Sequence, residues 1–381
     1  MTTYNGMQHS YSNTFAQKVM ITDRIIMADP YDIAAITALG LDNASKFNFV
    51  NTPGRTYSWL EDAYPVASGA TNEVNISTDT SVVSISLASG KGTLFHVGDV
   101  IQIDTEYMWI SAISTDELTV TRNYGTHITA ALTHATTSTA YIRYNARIEG
   151  DTSDESPWTE FTTNTNASTI MHKEVLITRD DILLPNYGVS DLKQYLITKN
   201  MDVLMEQLNK IPYHGVRYVG TASIARSSGG FSDFITTNDT ALSSATLLRS
   251  HIDNEFEQIY AAGGKTDLIL CGTWFQRKIN DFYEGFVTTG RDEKVGGMII
   301  KQLMHPITGA LVRVVVDRHC QADTAYFIDT RYAGYITIDP FFYEELAKTG
   351  DFEHGQTVGE YGFVCAAEKF HSFISGFSTS A

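Results

Sequence analysis

Ile197, Met201, Leu204, Leu208 and Ile211 recur at spacings of four, three, four and three, the strongest conformational constraint in the chain. Only a helix places such a series on one face. Asp191 can cap that helix, with Gln194 in the third position as a capping-box variant. Pro212 and Gly215 mark its end. The spacing therefore predicts a helix over 191–211 whose striped face is a packing surface, not a ligand site.

The sequence before this helix has a different texture. Up to about Val66 a polar start leads to Ile25-Ile26-Met27-Ala28-Asp29-Pro30, then to a short helix over Tyr31 to Leu39 ended by Gly40. Pro30 fits the first turn, where a missing N–H costs nothing. From about Ala67 to Asp180 the chain is crowded with Thr, Ser and Val and reads as β. Val83 to Leu87 alternates, and Val100 to Ile103 and Leu118 to Thr121 are short β-prone runs. Gly98-Asp99 and Asn123-Tyr124-Gly125 supply turns. This pattern predicts a small barrel or sandwich followed by a long hairpin.

Beyond the turn-forming Pro185-Asn186-Tyr187-Gly188 and the long helix, helix and strand alternate. Ala245, Leu248, Ile252, Phe256 and Ile259 form a second stripe, stopped by Gly263-Gly264. Asp267 to Cys271 reads as a buried strand, and Trp274, Phe275, Ile279 and Phe282 as a helix behind it. Leu311 to Val316 and Tyr326 to Ile328 are further strands, and Tyr361, Phe363, Cys365 and Ala367 alternate on a closing one. The architecture expected is α+β with a β-rich insertion, and no fixed repeat period indicates a solenoid.

Composition narrows the function. Of 381 residues, 43% are hydrophobic and 19% charged, which suffices for a packed core. No apolar run of about 18 residues predicts a membrane span. Met1 to Met20 lacks the basic start and apolar stretch of a secretory signal. Cys271, Cys320 and Cys365 form no CxxC pair and read as buried thiols of a protein made in a reducing cytoplasm. A net charge of -17 argues against gripping phosphates as the main task.

No reaction chemistry emerges. Gly-x-Ser-x-Gly, Walker-type and Gly-x-Gly-x-x-Gly motifs are absent. Gly229-Gly230, Gly263-Gly264 and Gly296-Gly297 read as turns or helix stops. His96, His127 and His134 fall in the β-rich region, where packing or surface roles outweigh metal binding. His319-Cys320 sets a base beside a thiol, but strand neighbours point to opposite faces. Glu344-Glu345 and Asp351/Glu353 read as a solvated face. The glycosylation-like Asn75-Ile76-Ser77, Asn166-Ala167-Ser168 and Asn238-Asp239-Thr240 have no meaning without a secretory route. The expectation is no catalytic, cofactor or metal site, and hence a structural protein rather than an enzyme.

Three stretches carry a family likeness. The first is Asp23-Arg24-Ile25-Ile26 through Asp29-Pro30-Tyr31-Asp32, with Leu39-Gly40 and Tyr57-Ser58-Trp59-Leu60-Glu61-Asp62. The second is Val97-Gly98-Asp99-Val100-Ile101, Glu106-Tyr107-Met108 and Leu118-Thr119-Val120-Thr121-Arg122-Asn123-Tyr124-Gly125-Thr126. The third is Gly359-Glu360-Tyr361-Gly362-Phe363 with Glu368-Lys369-Phe370-His371. In this order, and with the long helix, the chain resembles the major capsid proteins of tailed double-stranded-DNA bacteriophages, the group with a β-module inserted in its extended loop.

The resemblance implies an N-terminal arm over 1–50 and an extended loop over 51–185 carrying an inserted module at about 67–144. A peripheral domain over 186–235 would be built on a spine helix at 191–211, an axial domain would span 236–335, and returning peripheral strands 336–381. It implies pentamers and hexamers of this chain in an icosahedral head around packaged DNA, touched non-specifically. A portal protein would stand at one vertex, scaffolding would come from a separate protein or none, any decoration protein would be separate, assembly would occur in the host cytoplasm, and no membrane would be involved. Only about 20 residues precede the first motif, so a fused scaffolding domain is not expected. Lys91 and Lys173 are candidate cross-linking nucleophiles, with surface charge the plainer role.

Two other readings compete. A decoration or tail-tube protein would share the β texture but not the long helix. A surface hydrolase with a β accessory module would need a convergent acid, base or metal constellation.

Overall fold

The computed structural model describes residues 31–41, 46–47, 54–62, 68–72, 75–76, 84–126, 132–135, 138–150, 160–184, 189, 191–282, 287–288, 294–295, 298–299, 301–348 and 350–379. Ile25 to Pro30, Val83, His127, Pro185 to Gly188 and Gly296-Gly297 lie outside them. The chain divides into two compact units, Met1–Trp59 with Thr163–Ala381, and Leu60–Thr162.

The first unit is organised by a seven-stranded sheet. Its order is Asp239–Ala241, Ser372–Ser375, Ala325–Ile328, Leu268–Cys271, Leu311–Val316, Lys301–Met304 and Val287–Thr288. Leu268–Cys271 is apolar at every position because both of its faces are covered. Leu268 and Leu270 face one core with Leu208, Tyr213 and Phe231. Ile269 and Cys271 face another with Phe256, Ile259 and Phe275. One strand thus serves two cores, one on each side of the sheet.

The long helix runs Leu192–Asn209, with the Asp191 side chain accepting from the Gln194 amide at 3.1 Å. Leu204 and Leu208 are fully buried, while Ile197 and Met201 are half-buried. The helix stops short of Ile211 because Pro212 has no N–H with which to continue the ladder. A separate turn, Ile211–His214, begins there.

The second stripe becomes the helix Arg249–Ala262, where Ile252, Phe256 and Ile259 are buried and Gly263 closes the end at φ 93°. Ala245 and Leu248, expected on that stripe, are instead exposed. Ser243 and Ser244 adopt left-handed backbone (φ 47° and 69°), which holds a turn in front of the helix. Leu247 is buried there instead.

The first helix spans only Ala34–Leu39, and in the turn before it the Asp32 carboxylate accepts from the Ala34 amide. Gly40 ends it at φ 84°.

A three-stranded antiparallel sheet places Phe352–Cys365 between Thr169–Thr178 and Ala333–Glu345. Tyr361, Phe363 and Cys365 join the first core, and Val364 packs with Trp59 and Ile336. Ala367, expected on the same strand, has left it at φ 53° to open the turn Glu368–Phe370.

The second unit is a six-stranded antiparallel sheet ordered Ser68–Ala70, Thr139–Asn145, Asp99–Ile103, Glu106–Ser114, Glu117–Thr121 and Ser84–Ser86. Its alternating inward residues build a private core that includes Ile85, Ile101, Ile103, Met108, Ile110, Leu118 and Val120. Gly98 (φ 92°), Asp104 (φ 51°), Asn123 (φ 55°) and Gly125 (φ 94°) make its turns.

Candidate functional site

Among the described residues, the side chains that sequence singled out for chemistry do not converge on a reaction centre. His96 lies in a turn whose amide donates to Asp99 at 2.8 Å. His134 is fully buried between two carboxylates rather than at the surface. His319 Nε2 faces Glu206 at 3.2 Å, whereas the Cys320 thiol donates to the Thr324 carbonyl at 3.6 Å. The adjacent base and thiol thus have separate partners. Burial pushes the Cys271 and Cys320 thiols up, away from the thiolate that a nucleophile requires. Among the described residues, no group of three His, Cys, Asp or Glu side chains is placed to hold a metal.

The acidic residues where the strands Ala333–Glu345 and Phe352–Cys365 meet are more than a solvated face. Lys193 on the long helix reaches Glu345 at 2.5 Å and Glu353 at 3.2 Å, on two neighbouring strands. The Glu345 carboxylate above all holds the Lys193 ammonium charged well beyond its ordinary range, and Lys193 in turn holds Glu345 low. This is a clamp of helix to sheet at the solvent boundary. Asp351 lies 4.0 Å from Arg179, and Glu344 accepts from Gln356.

Gly230 proves to be more than a turn residue. A Cβ there would come within 2.6 Å of the Ile211 and Pro212 carbonyl oxygens, so the close chain crossing requires glycine. Lys91 stands exposed at a short turn, and Lys173 lies half-buried on the strand Thr169–Thr178.

What the first unit does present is apolar side chains in water. Ile170 and Leu176 share the outward face of the strand Thr169–Thr178. The same run continues through Ile182, Leu183 and Leu184, of which Leu183 is 70% exposed. Beside it lies a cavity of about 260 Å³ lined by Arg179, Ile182, Leu183, Lys348, Phe352 and Glu353.

The loop over residues 215–230 carries Val216, Tyr218, Val219 and Ile224, all exposed. Its base is rigid. The Gly230 amide donates to the Gly215 carbonyl at 3.1 Å, and Tyr218 and Ser227 exchange backbone bonds. Arg226 pairs with Glu360 at 2.5 Å and donates to Ser168 at 2.8 Å. Asn166, buried, donates to Ser228 and to the Gly229 and Phe363 carbonyls and accepts from the Gly229 amide. Met304, Ile307 and Leu311 form a third exposed group around a strand-connecting turn.

Apolar groups on well-held loops and strand faces are suited to association with other protein surfaces. The signal for the second group was in the sequence, as β-branched and aromatic residues bounded by Gly215 and Gly230. A run that short reads equally well as a strand.

Comparison with known proteins gives this surface its context. Among curated proteins, no relative matches the chain. Among solved structures, the capsid of Myoviridae phage XM1 superposes with a TM-score of 0.52 at 7% identity, covering 98% of this chain and 100% of that one. The capsid of a native GTA particle gives 0.47 at 8% identity over 96% of each chain. Mycobacterium phage Bobi gives 0.46 at 9% identity over 94% of this chain and 95% of that one. The XM1 match shows the α+β fold of tailed-phage capsid subunits. The SU10 major capsid protein family model matches residues 3–378, nearly the whole chain. The chain therefore belongs to the SU10 major capsid protein family and is a structural subunit of the icosahedral shell of a phage.

Proposed function

We propose that the chain assembles as pentamers and hexamers into the head that encloses a double-stranded-DNA genome, without catalysing a reaction. The family match over residues 3–378 carries this reading. In it, residues 1–50 are an arm and 51–185 an extended loop whose inserted module lies at about 67–144. Residues 186–235 are the peripheral domain, 236–335 the axial domain and 336–381 the returning strands. The exposed apolar groups described above are contact surfaces for further copies of the chain. Heterologous contacts of this kind close into rings, and many modest contacts per subunit add up to a stable shell.

A portal protein occupies one vertex, any scaffolding or decoration protein is a separate chain, and assembly takes place in the host cytoplasm. Contact with the packaged DNA is non-specific, in keeping with a net charge of -17. Electron microscopy and mass measurement of the purified chain, made under conditions where infected cells form particles, test the reading. Closed shells of many copies built from rings of five and six are expected. Tubes, or only monomers and dimers, would overturn it.

A further inference from the structure

Glu106 is completely buried, and it is the hub of an ionic cluster inside the second unit. Its Oε1 accepts from Arg122 Nε at 3.0 Å and from the Asn123 amide at 3.2 Å. Its Oε2 accepts from Arg122 Nη2 at 2.7 Å, the Leu132 amide at 3.0 Å and His134 Nε2 at 2.9 Å. With both oxygens taken by donors, no room is left for a proton on this carboxyl. Burial alone would push Glu106 up, but the donors from Arg122, Leu132 and His134 together hold it below its ordinary value.

His134 is also fully buried, and its other nitrogen, Nδ1, lies 2.7 Å from Asp104 Oδ2. Each ring nitrogen therefore faces a carboxylate oxygen that can only accept. A neutral imidazole has one N–H and can satisfy one of them, while the imidazolium satisfies both. Charge counting agrees. Asp104, its side chain 59% exposed, and the buried Glu106 carry two negative charges against the one positive charge of Arg122, and a charged His134 balances the second.

We propose that His134 is a proton-dependent clasp, held as the imidazolium between Asp104 and Glu106 and fastening residues 132–135 to the hairpin turn at residues 103–106. The groups facing the ring among the described residues are Asp104 on that turn, Glu106 at the start of the strand Glu106–Ser114 and, through Glu106, Arg122. When the ring loses a proton, one nitrogen presents a lone pair to a carboxylate at hydrogen-bond distance. The half-exposed Asp104 is the partner able to swing into water. One of the ring's two anchors is then lost, leaving the Leu132 bonds to Glu106 and Arg122, and the register Asn75↔Ala135 and Ile76↔His134 loosens. The sign follows directly. The ordering belongs to the protonated ring and weakens when that proton leaves, so lower pH favours it. Nothing in this step depends on the shell reading.

Two measurements on the full chain test it. In protein with isotope-labelled histidine, NMR at about pH 5 should find two ring N–H groups at His134, and a single N–H there would overturn the proposal. Hydrogen exchange of the amides over 132–135, corrected for intrinsic base catalysis, should rise by about tenfold between about pH 5 and pH 9, as expected for one lost charge-assisted bond. Asp104→Asn keeps a residue that tolerates the left-handed turn and can donate to a neutral Nδ1. It should retain protection over 132–135 while abolishing the pH step. A flat profile in the wild-type protein, or a step that persists in Asp104→Asn, would overturn the clasp.

Discussion

His371 illustrates how one buried side chain ties stability to pH. Its Nδ1 accepts from the Asp329 amide at 3.2 Å, and its Nε2 donates to the Ala366 carbonyl at 3.1 Å, which fixes a neutral tautomer. Burial pushes its pKa down from 6.5 to about 4. Below 6.5 the unfolded chain takes up a proton that the folded chain refuses, so stability is present above that value and is lost as pH falls towards 4. The full depression is worth about 3 kcal/mol. His371→Gln offers the same donor and acceptor without the proton, so its melting temperature should fall less than the wild type's across that acid range. Equal slopes would show that other groups carry the acid sensitivity. None of this was legible in the sequence. His371 and Asp329, like His134 and Glu106, are far apart in the chain, and only strand register and turn geometry bring them together.

Elements were legible where one period dominated. The long helix was readable in both cap and stripe because Asp191, Leu204 and Leu208 obey local rules that tertiary structure did not override. The second stripe was overextended because Ala245 and Leu248 happen to fit a helical period, whereas Ser243 and Ser244 adopt a backbone that no hydrophobic pattern reveals. The closing strand was overextended for the same reason at Ala367. The exposed apolar faces escaped notice because solvent exposure is a property of assembled sheets, not of runs of residues. A direct check on the helix is Leu204→Asp. That residue has no exposed surface, so the change buries an unpaired carboxylate at a cost of several kcal/mol. Insoluble subunit and no shells are expected. Thr198→Asp, on the exposed face, should leave yield and melting temperature close to wild type.

At the scale of the whole molecule, each unit has its own buried residues. The core of the second is drawn entirely from positions between Ile85 and Ile142. Among the described residues, the two main cores of the first contain none from Leu60–Thr162. Replacing 67–144 by a short Gly/Ser linker should therefore leave the first unit folded, with cooperative melting retained, while shells fail to form or form with the wrong size. Loss of all cooperative unfolding would show instead that the second unit is required for the first to fold.

The seven-stranded sheet also constrains the order in which a ribosome can deliver a finished subunit. Ser372–Ser375 is an interior strand, parallel to Asp239–Ala241 on one side and antiparallel to Ala325–Ile328 on the other. Until it emerges, two strand edges stand open and the sheet cannot close. The second unit, complete by about residue 162, needs nothing synthesised later to fill its core. Translation thus yields first a folded module, then a long interval with unpaired edges, a state open to misassociation and a natural client for chaperones. Among the described residues, Ser372–Ser375 is the last strand to arrive, and it completes the sheet.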